Sequence, residues 1–258
     1  MIGLVLGTSE GREILKRINE FTGDVFVTTA TKYGGNILNE YDIKILNTTP
    51  LDKKGFIDKI KEHNIEIFLD STHPYAVEVS KNIIEACNES GITYLRYERE
   101  SVVEKYGDEE LVHLVDGYEG LQEVLENIKG NVLNTTGSRN IKRIMELNIN
   151  SRIIHRVLPT LKVMSEMEGL GIEPHNLIMI KGPVSYQLNK AFYKEYNIEC
   201  VIMKDSGLAG GTDEKIKSAL ELKIPVAVIK KEHMDYPNKF NSIKECIEEL
   251  KSRWNNES

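Results

Sequence analysis

The sequence of 258 residues has few cysteines and no long apolar run. The three cysteines, Cys87, Cys200 and Cys246, are far apart and odd in number, which disfavours a disulfide framework. A reducing compartment, the cytoplasm by default, is therefore expected. No segment approaches the roughly 18 apolar residues of a membrane-spanning helix. The first ten residues are apolar over too short a span for a signal peptide, so we expect a buried strand there.

Basic clusters and metal-binding patterns are also missing. The net charge is -7, and acidic and basic residues are mixed along the whole chain, which disfavours a nucleic-acid or membrane-surface partner. The six histidines lack the His/Cys spacing of a metal site, so we expect no bound metal.

Short segments rich in Ile and Val alternate with helical patterns, which is typical of βα units around a mostly parallel sheet. A charged stretch without periodicity, 98–110, marks a domain connection. We therefore predict an α/β protein with two Rossmann-like parallel-sheet domains and an interdomain cleft. The expected division is a dinucleotide-binding domain over 1–100 and a substrate-side domain over 101–258, whose amphipathic end, 242–254, packs on a sheet face. The predicted strands are Ile2–Leu6, Val25–Thr29, Ile43–Leu46, Ile65–Leu69, Ile92–Tyr97, Leu111–Val115, Asn131–Leu133, Ile153–Leu158, Leu177–Ile180, Cys200–Met203 and Val226–Ile229.

The first strand ends in the turn GTSEG, residues 7–11, which opens a helix. Free backbone N–H groups and the helix dipole at such a turn attract an anion, typically the pyrophosphate of a dinucleotide. Gly7, Thr8, Ser9 and Glu10 are therefore candidate cofactor residues. The spacing is GxxxG and lacks the full GxGxxG fingerprint, so simple helix capping stays an alternative.

The end of the second strand bears on the choice of nucleotide. NAD-specific sites carry an acid about twenty residues beyond the first turn, which binds the ribose hydroxyls. Here Thr29 and Lys32 stand near that position, and no acid follows until Glu40. A singly basic end accommodates a 2′-phosphate more easily than an acid would, which favours NADPH and makes Thr29 and Lys32 candidate cofactor residues.

The segment DSTHPYA, residues 70–76, places an acid and a histidine together at a strand end. A neutral His73 beside Asp70 would position ribose or nicotinamide groups, with Thr72 as a further candidate. The alternatives are a structural hydrogen bond, and capping of the following helix by Ser71 or Thr72.

Three further turns follow strands in the second half: 135–139, 181–185 and 204–213. Each alone would be an ordinary exposed turn. Together we expect them to share one edge of a sheet and form one wall of the cleft.

Tyr186 and Lys190 have the YxxxK spacing of short-chain dehydrogenases. With no partner serine at a suitable upstream distance, and without the usual glycine pattern near the start, we interpret this pair as accidental.

The set of turns resembles the precorrin-6A reductases of corrinoid (vitamin B12) biosynthesis. The motifs run in the family's order across nearly the whole chain: LGTSEGRE (6–13), DSTHPYA (70–76), NTTGSRN (134–140), KGPVS (181–185), KDSGLAGGTDEK (204–215) and IPVAVIKK (224–231). The chain departs from the family at Thr31 and Lys32, where an arginine is common, and at Asp205, where an asparagine is common.

The resemblance implies an NAD(P)H-dependent oxidoreductase that acts on a CH–CH bond, reducing precorrin-6A, expected in its cobalt form, to precorrin-6B. Either NADPH or NADH is the implied donor, with its pyrophosphate at the first turn and its nicotinamide side at Asp70, Thr72 and His73. The implied catalytic residues are Lys204, Ser206 and Asp205; alternatively, all three only anchor substrate carboxylates and water supplies the proton. The implied substrate-binding residues are Arg139, Lys181, Ser185, Gly207, Gly210, Gly211 and Thr212.

Two other functions stay open on the sequence. One is a short-chain-type oxidoreductase acting on a small carbonyl, and the other is a dinucleotide-binding sensor without chemistry.

Overall fold

The chain forms two compact units, Met1–Glu100 with His233–Ser258, and Ser101–Glu232. The structure is a computed structural model that describes residues 1–7, 10–29, 34, 35, 38, 40–231 and 234–257, the last three through their backbone only. The break after residue 100 lies within the predicted connection. The C-terminal segment belongs to the first unit, however, whereas the sequence analysis assigned it to the second domain.

The first unit is a parallel sheet with helices on both faces. Its described elements are β1 (Ile2–Leu6), α1 (Gly11–Asn19), β2 (Val25–Thr28), β3 (Ile45–Asn47), α2 (Lys53–His63), β4 (Ile67–Ser71), α3 (Val77–Ser90), β5 (Thr93–Tyr97), β12 (Lys239–Phe240) and α9 (Ile243–Glu257). The strand order is β12-β5-β4-β1-β2-β3, and every described pair is parallel. This is the order of a Rossmann fold, with β12 in the sixth position.

The second unit repeats the same plan. Its described elements are β6 (Val112–Val115), α4 (Leu121–Leu125), β7 (Asn131–Asn134), α5 (Ile141–Met145), β8 (Arg152–Val157), α6 (Leu161–Gly169), β9 (Leu177–Met179), α7 (Tyr186–Glu195), β10 (Ile198–Lys204), α8 (Thr212–Glu221) and β11 (Val226–Ile229). The order is β6-β11-β10-β7-β8-β9, again with parallel pairs. The predicted fold class, two Rossmann-like parallel-sheet domains, is confirmed.

The sixth strand of each sheet explains why the predicted second domain was too long. β6 follows β5 in the sequence but pairs with β11 of the second sheet. β12 follows β11 in the sequence but pairs with β5 of the first sheet. The segment 239–240 is too short to show a periodic pattern, so the sequence analysis missed this strand.

Alternating side chains of the central strands fill two core layers in each unit, as expected for a sheet covered on both faces. In the first unit Ile2 and Leu4 pack with residues of α1 and α9, whereas Val5 packs with residues of α2 and α3. In the second unit Val201 and Ile202 point to opposite layers in the same way. Among the described residues no helix is long and apolar enough to cross a membrane.

The C-terminal helix α9 contributes to the core of the first unit, because Cys246 and Leu250 are fully buried there. We expect Leu250→Ala to lower the free energy of unfolding by about 2–5 kcal/mol, the usual cost of a core cavity. The only tryptophan, Trp254, packs against the same core, so its fluorescence during urea denaturation reports this transition directly.

Lys244→Ala in the same helix is the matched control. The Lys244 side chain is 74% exposed, so we expect its loss to change stability by no more than about 0.5 kcal/mol. Equal midpoints for the two variants would show that α9 does not stabilise the first unit.

Candidate active site

In the first unit the strand order reverses between β1 and β4. From β1 the chain continues to β2 and β3 on one side, and then returns to β4 on the other side. The ends of these two strands lie level, since Leu6 is in register with Ser71. Ligands of open α/β sheets bind at the carboxyl ends of the strands where such a reversal occurs. The turns after β1 and β4 are two of the three in which cofactor residues were predicted.

Gly7 brings these two turns into contact. Its backbone N–H donates a hydrogen bond to the carbonyl of Ser71 over 3.2 Å. A Cβ at this position would lie 3.3 Å from Thr72 Cα and 3.3 Å from the backbone nitrogen of His73. A side chain here would press on the backbone of the second turn, so glycine favours this close approach.

The helix that follows the first turn begins at Gly11, and Glu10 is its N-cap residue without a side-chain capping bond. The first N–H groups of a helix have no acceptor within the helix, so they are available to an anion. The carboxylate of Glu10 forms an ion pair with Arg99. The predicted residues Thr8 and Ser9 lie outside the described residues.

Thr29 lies directly after β2 and is buried, with its N–H donating to the carbonyl of Asn47 over 3.0 Å. Asn47 in turn donates from Nδ2 to Thr28 Oγ1 over 2.8 Å. The end of β2 is therefore polar and uncharged in the described part of the chain. The predicted residue Lys32 lies outside it.

Asp70 lies inside the sheet and not in the turn, because β4 extends to Ser71, two residues beyond the predicted end. Its carboxylate is fully buried and accepts hydrogen bonds from Thr72 N (2.9 Å), Ser80 Oγ (2.6 Å) and Tyr94 Oη (2.9 Å). It also forms a 2.8 Å ion pair with Arg96. This arrangement indicates that Asp70 positions the turn, and is not itself presented to a ligand.

Arg96 was missed by the sequence analysis. Its side chain is fully buried, and its Nη1 reaches both Asp70 and Thr72 Oγ1, the latter over 2.8 Å. The guanidinium also lies 4.7 Å from the centre of the Tyr236 ring. Burial lowers the pKa of Arg96, but the neighbouring Asp70 outweighs burial together with the other anionic groups, so the net shift is upward. A single arginine within the apolar strand TYLRY was the available signal.

The capping alternative for this turn is wrong. Helix α3 begins at Val77, and its N-cap residue is Ala76, which makes no side-chain capping bond. Thr72 uses its hydroxyl for Arg96 and lies 3.2 Å from Ser80 Oγ. His73 Nδ1 accepts a 3.4 Å hydrogen bond from the Tyr75 N–H, so the structural hydrogen bond weighed for this histidine is present.

In the second unit the strand order reverses between β7 and β10. Since the described strands are parallel, the turns after β7, β9 and β10 lie at one edge of this sheet, as predicted. Thr135, after β7, is bonded to β10, because its N–H and its hydroxyl both donate to the Ile202 carbonyl over 2.8 and 2.9 Å. The predicted turns after β7 and β10 therefore lie at the reversal point of this sheet, and the turn after β9 lies at the same edge.

Lys204, Asp205 and Ser206 occupy the carboxyl end of β10. The Lys204 ammonium lies 5.6 Å from the centre of the Tyr118 ring. The Asp205 carboxylate accepts hydrogen bonds from Ser101 Oγ (2.6 Å) and from the Gly207 N–H (3.1 Å). All three residues are partly exposed, so they are accessible to a ligand at this edge.

The glycine-rich turn depends on two left-handed residues. Gly207 has φ of +67° and Gly211 has φ of +69°, a region that favours glycine. Gly210 lies between them in a short 3₁₀ turn. Thr212 is fully buried, and its hydroxyl accepts a 2.9 Å hydrogen bond from the Ser206 N–H. Thr212 was predicted to contact substrate, but this geometry indicates that it positions the turn.

The turn after β9 packs against the glycine-rich turn, since a Cβ on Gly211 would lie 3.2 Å from Pro183 Cβ. Lys181 is exposed. Ser185 is also exposed and serves as the N-cap of α7, accepting a 3.3 Å hydrogen bond from Leu188 N–H. Arg139, in the turn after β7, is exposed as well. The two predicted cationic anchors outside β10 thus point to solvent and are available to anions.

Arg156 and Lys215 were not predicted as site residues. Arg156 is the penultimate residue of β8, and its Nη1 donates a 2.6 Å hydrogen bond to Asn189 Oδ1. Lys215 belongs to the first turn of α8 and is only 5% exposed. Lys215 ends the KDSGLAGGTDEK motif, and Arg156 interrupts an apolar strand, so both had a local signal.

The YxxxK pair does not form a catalytic dyad, which supports its interpretation as accidental. Tyr186 is the first residue of α7, and Lys190 forms an ion pair with Glu221 over 2.5 Å. Among the described residues no cluster of His, Cys, Asp or Glu is arranged to hold a metal ion.

His155 is buried beside the turn after β7, and burial lowers its pKa to about 4. Asn134 Oδ1 accepts from the N–H and the hydroxyl of Thr136, so its Nδ2 faces His155 Nδ1 at 3.0 Å. If Nδ1 were protonated, its N–H would point at the Asn134 Nδ2 donor, so this contact favours the neutral imidazole. The pKa of His155 in the folded protein lies below the unfolded value of 6.5. The stability that comes from keeping His155 neutral is therefore fully present above pH 6.5 and is lost as the pH falls towards 4.

We expect the free energy of unfolding to fall by about 3 kcal/mol more in the wild type than in His155→Gln between pH 7 and pH 4. Urea denaturation followed by far-UV circular dichroism measures it. His175→Gln, at an exposed position, is the control and should follow the wild type. Parallel curves for the wild type and His155→Gln would contradict the assignment.

The chain is similar to known proteins over almost its entire length. The family model described as precorrin-6x reductase CbiJ/CobK matches residues 1–251. The chain is 36% identical over 247 residues to the cobalt-precorrin-6A reductase of Methanocaldococcus jannaschii, covering 95% of each protein. It is 32% identical over 253 residues to the enzyme of the same name from Priestia megaterium, covering 97% of this chain and 98% of that one.

The fold agrees with a solved structure as well. The structure described as CobK precorrin-6A reductase superposes with a TM-score of 0.78 over 97% of this chain and 96% of the other, at 16% identity. At that identity the likeness supports the fold alone, whereas the family model and the two relatives carry the classification. The chain belongs to the precorrin-6x reductase CbiJ/CobK family.

Proposed function

We propose that this protein reduces one ring double bond of cobalt-precorrin-6A, giving cobalt-precorrin-6B, with NADPH or NADH as the hydride donor in cobalamin biosynthesis. The observation that carries the proposal is that both Rossmann-like units direct their family motifs to a strand-order reversal. The relatives at 36% and 32% identity are both named for the cobalt form, which supports that form as the substrate.

The nucleotide is assigned to the first unit. A Cβ on Gly7 would be only 3.3 Å from the backbone of the second turn, and the helix start after Gly7 offers N–H donors, so this turn fits a pyrophosphate. The bound nicotinamide would supply the hydride. Thr72, held by the Asp70–Arg96 pair, and the adjacent His73 are assigned to the nicotinamide side. The polar, uncharged end of β2 at Thr29 gives no acid to exclude a 2′-phosphate, which is consistent with NADPH as well as NADH.

The macrocycle is assigned to the second unit. Its substrate carries several acetate and propionate carboxylates, for which Arg139, Lys181 and Lys204 are the proposed anchors. Gly207 and Gly211, in left-handed conformations, let the backbone approach an anionic group closely. Because the protein as a whole is acidic, local geometry and not long-range attraction has to select the substrate.

Proton delivery is assigned to the carboxyl end of β10. Hydride addition to one carbon requires a proton on the adjacent carbon, from a positioned acid or from water. Lys204 and Asp205 lie next to each other there, and Ser101 and the Gly207 N–H hold the Asp205 carboxylate in place. The competing assignment is that Lys204, Asp205 and Ser206 only anchor carboxylates while water supplies the proton.

We further propose that the protein works in the cytoplasm. The three cysteines, Cys87, Cys200 and Cys246, are free and buried, which is in keeping with a reducing compartment.

Gly7→Ala tests the nucleotide assignment. The added methyl group would press on Thr72 and His73 at 3.3 Å, so we expect NADPH and NADH to bind at least about 10-fold more weakly, a cost of about 1.4 kcal/mol. Isothermal titration of each nucleotide measures the effect. Gly169→Ala is the control, because a Cβ there has no heavy atom within 4 Å. Unchanged affinity in Gly7→Ala would refute the assignment of this turn.

The reductase activity itself is tested with cobalt-precorrin-6A and each nucleotide, by following the absorbance of both chromophores. We expect the wild type to consume nucleotide and substrate in equal amounts. Lys204→Met should lower kcat/KM by about 10-fold to 100-fold, the range for losing a charge-assisted hydrogen bond. Unchanged spectra with a substrate preparation that a characterised relative reduces would refute the function.

The two roles of Lys204 separate in the kinetic constants. A rise in KM with unchanged kcat would identify Lys204 as a carboxylate anchor, whereas a fall in kcat would identify it as a group acting on the reacting atoms. Lys204→Arg retains the charge, so it should restore KM in the first case only. Wild-type constants in Lys204→Met would exclude both roles.

A further inference from the structure

We propose that Arg156 and Lys215 together bind one carboxylate of the tetrapyrrole substrate, in addition to the exposed lysine and arginine anchors. This inference rests on the proposed function, since it identifies part of the substrate site in the second unit. Neither residue belongs to a motif position that was assigned a role above.

Lys215 is a cation without a described partner in a buried place. Its side chain is 5% exposed, and its ammonium makes no hydrogen bond or ion pair with the described residues. Its described hydrogen bonds are all made by the backbone: the carbonyl accepts from Tyr193 Oη (3.3 Å) and Ser218 Oγ (3.0 Å), and the N–H donates to the Gly211 carbonyl (3.3 Å). A buried ammonium without a counter-ion is costly, and a bound anion would remove that cost.

Arg156 adds a second cation to the same neighbourhood. Its described polar contact is with a neutral amide, Asn189 Oδ1 at 2.6 Å, and it has no carboxylate within ion-pair distance among the described residues. Asn189 is fully buried and is held by the carbonyls of Val184 (2.9 Å) and Ser185 (3.0 Å). The Arg156 guanidinium is therefore fixed by the turn after β9, one of the predicted substrate-side turns.

Helix α7 contacts both residues, because Asn189 binds Arg156, and Tyr193, one turn further along the same face, donates to the Lys215 carbonyl. Burial is the largest cause that lowers the pKa of Lys215, to about 7, and the positive charge of Arg156 lowers it further. Asp205, in the turn after β10, and Glu214, on α8 itself, act in the opposite direction. Burial also lowers the pKa of Arg156, while Tyr193 from α7 raises it. Neither carboxylate forms an ion pair with Lys215 in the described part of the chain, so both act on it only from a distance.

The position matches a ligand of the proposed kind. Arg156 lies at the carboxyl end of β8, and Lys215 lies in the first turn of the helix after β10. Both ends belong to the sheet edge that carries Asp205 and the glycine-rich turn. A guanidinium and an ammonium offer separate donors to the two oxygens of a carboxylate, which is the group that the macrocycle carries in several copies.

Binding of a carboxylate should be coupled to the protonation of Lys215. The anion prefers the charged ammonium, and about half of Lys215 is charged in the free protein near pH 7. Above that pH a proton must be taken up on binding, so the affinity should fall by up to about tenfold per pH unit. Exposed lysines, which stay charged to much higher pH, would not produce this dependence.

The kinetic test measures KM for cobalt-precorrin-6A between pH 6 and pH 9. We expect Lys215→Met to raise KM by about 10-fold to 100-fold at pH 6 and to abolish its rise above pH 7. Lys217→Met is the matched control, since Lys217 lies on the same helix, is 58% exposed and pairs with Asp213. If Lys215→Met kept the wild-type KM and pH profile while activity was intact, this inference would fail and the proposed function would stand.

A second measurement needs neither activity nor a variant that folds. The ¹³Cε resonance of Lys215 is titrated by NMR in the wild-type protein, with and without sodium propionate as a probe for the substrate carboxylate. We expect propionate to raise the pKa of Lys215, whose side-chain resonance is assigned in the wild type by through-bond correlation to its backbone. If propionate raised the pKa of Lys215 but the protein had no reductase activity, the anion site would be supported and the proposed substrate would be refuted. An unchanged titration at saturating propionate would reject the anion site.

Discussion

The parallel pairing of β1 with β4, and of β7 with β10, is the constraint on which both candidate sites depend. In each sheet the chain leaves the first strand of the pair in one direction and returns on the other side for the second. The turns that follow then diverge from a common edge, and backbone N–H groups and side chains there have no further strand to pair with. In the first unit Gly7 keeps the two turns in contact. In the second unit Thr135 bonds to β10, and the Pro183 turn packs on Gly211.

Charged side chains near the strand-order reversals of the two sheets differ in whether they have an ion-pair partner. In the first unit Asp70 and Arg96 form a buried ion pair, and the Thr72 N–H and the hydroxyls of Ser80 and Tyr94 also donate to the carboxylate. Removing one partner of such a pair would leave an uncompensated buried charge, so the network holds the turn in one conformation. In the second unit Arg156 and Lys215 have no described carboxylate within ion-pair distance. The first arrangement is suited to support a turn, and the second is suited to receive an anion.

The sixth strand of each sheet is far in sequence from the strand with which it pairs. β6 is the first strand of the second unit in sequence and β12 is the last strand of the chain, yet each occupies the same edge position beside the fifth strand of its sheet. The core of the first unit also includes Cys246 and Leu250 of α9. Cutting the chain after residue 100 would therefore remove an edge strand and a core helix from the first unit, and the two halves of the sequence do not correspond to the two units of the fold.

The sequence by itself determined the α/β class, the order of most elements and the turns at which function was predicted, because strand and helix periodicities and turn residues are local properties. It also determined the family, through six motifs in order. Only the tertiary structure decided that 239–240 is a strand of the first sheet, since two residues carry no periodic signal. It likewise decided that Asp70 and Thr212 are buried supports, that Arg96 and Lys215 are buried cations, and that Arg156 is a partly buried one. Burial and charge pairing depend on partners far apart in the chain, such as Asp70 with Arg96 or Arg156 with Asn189, and no local pattern specifies those partners.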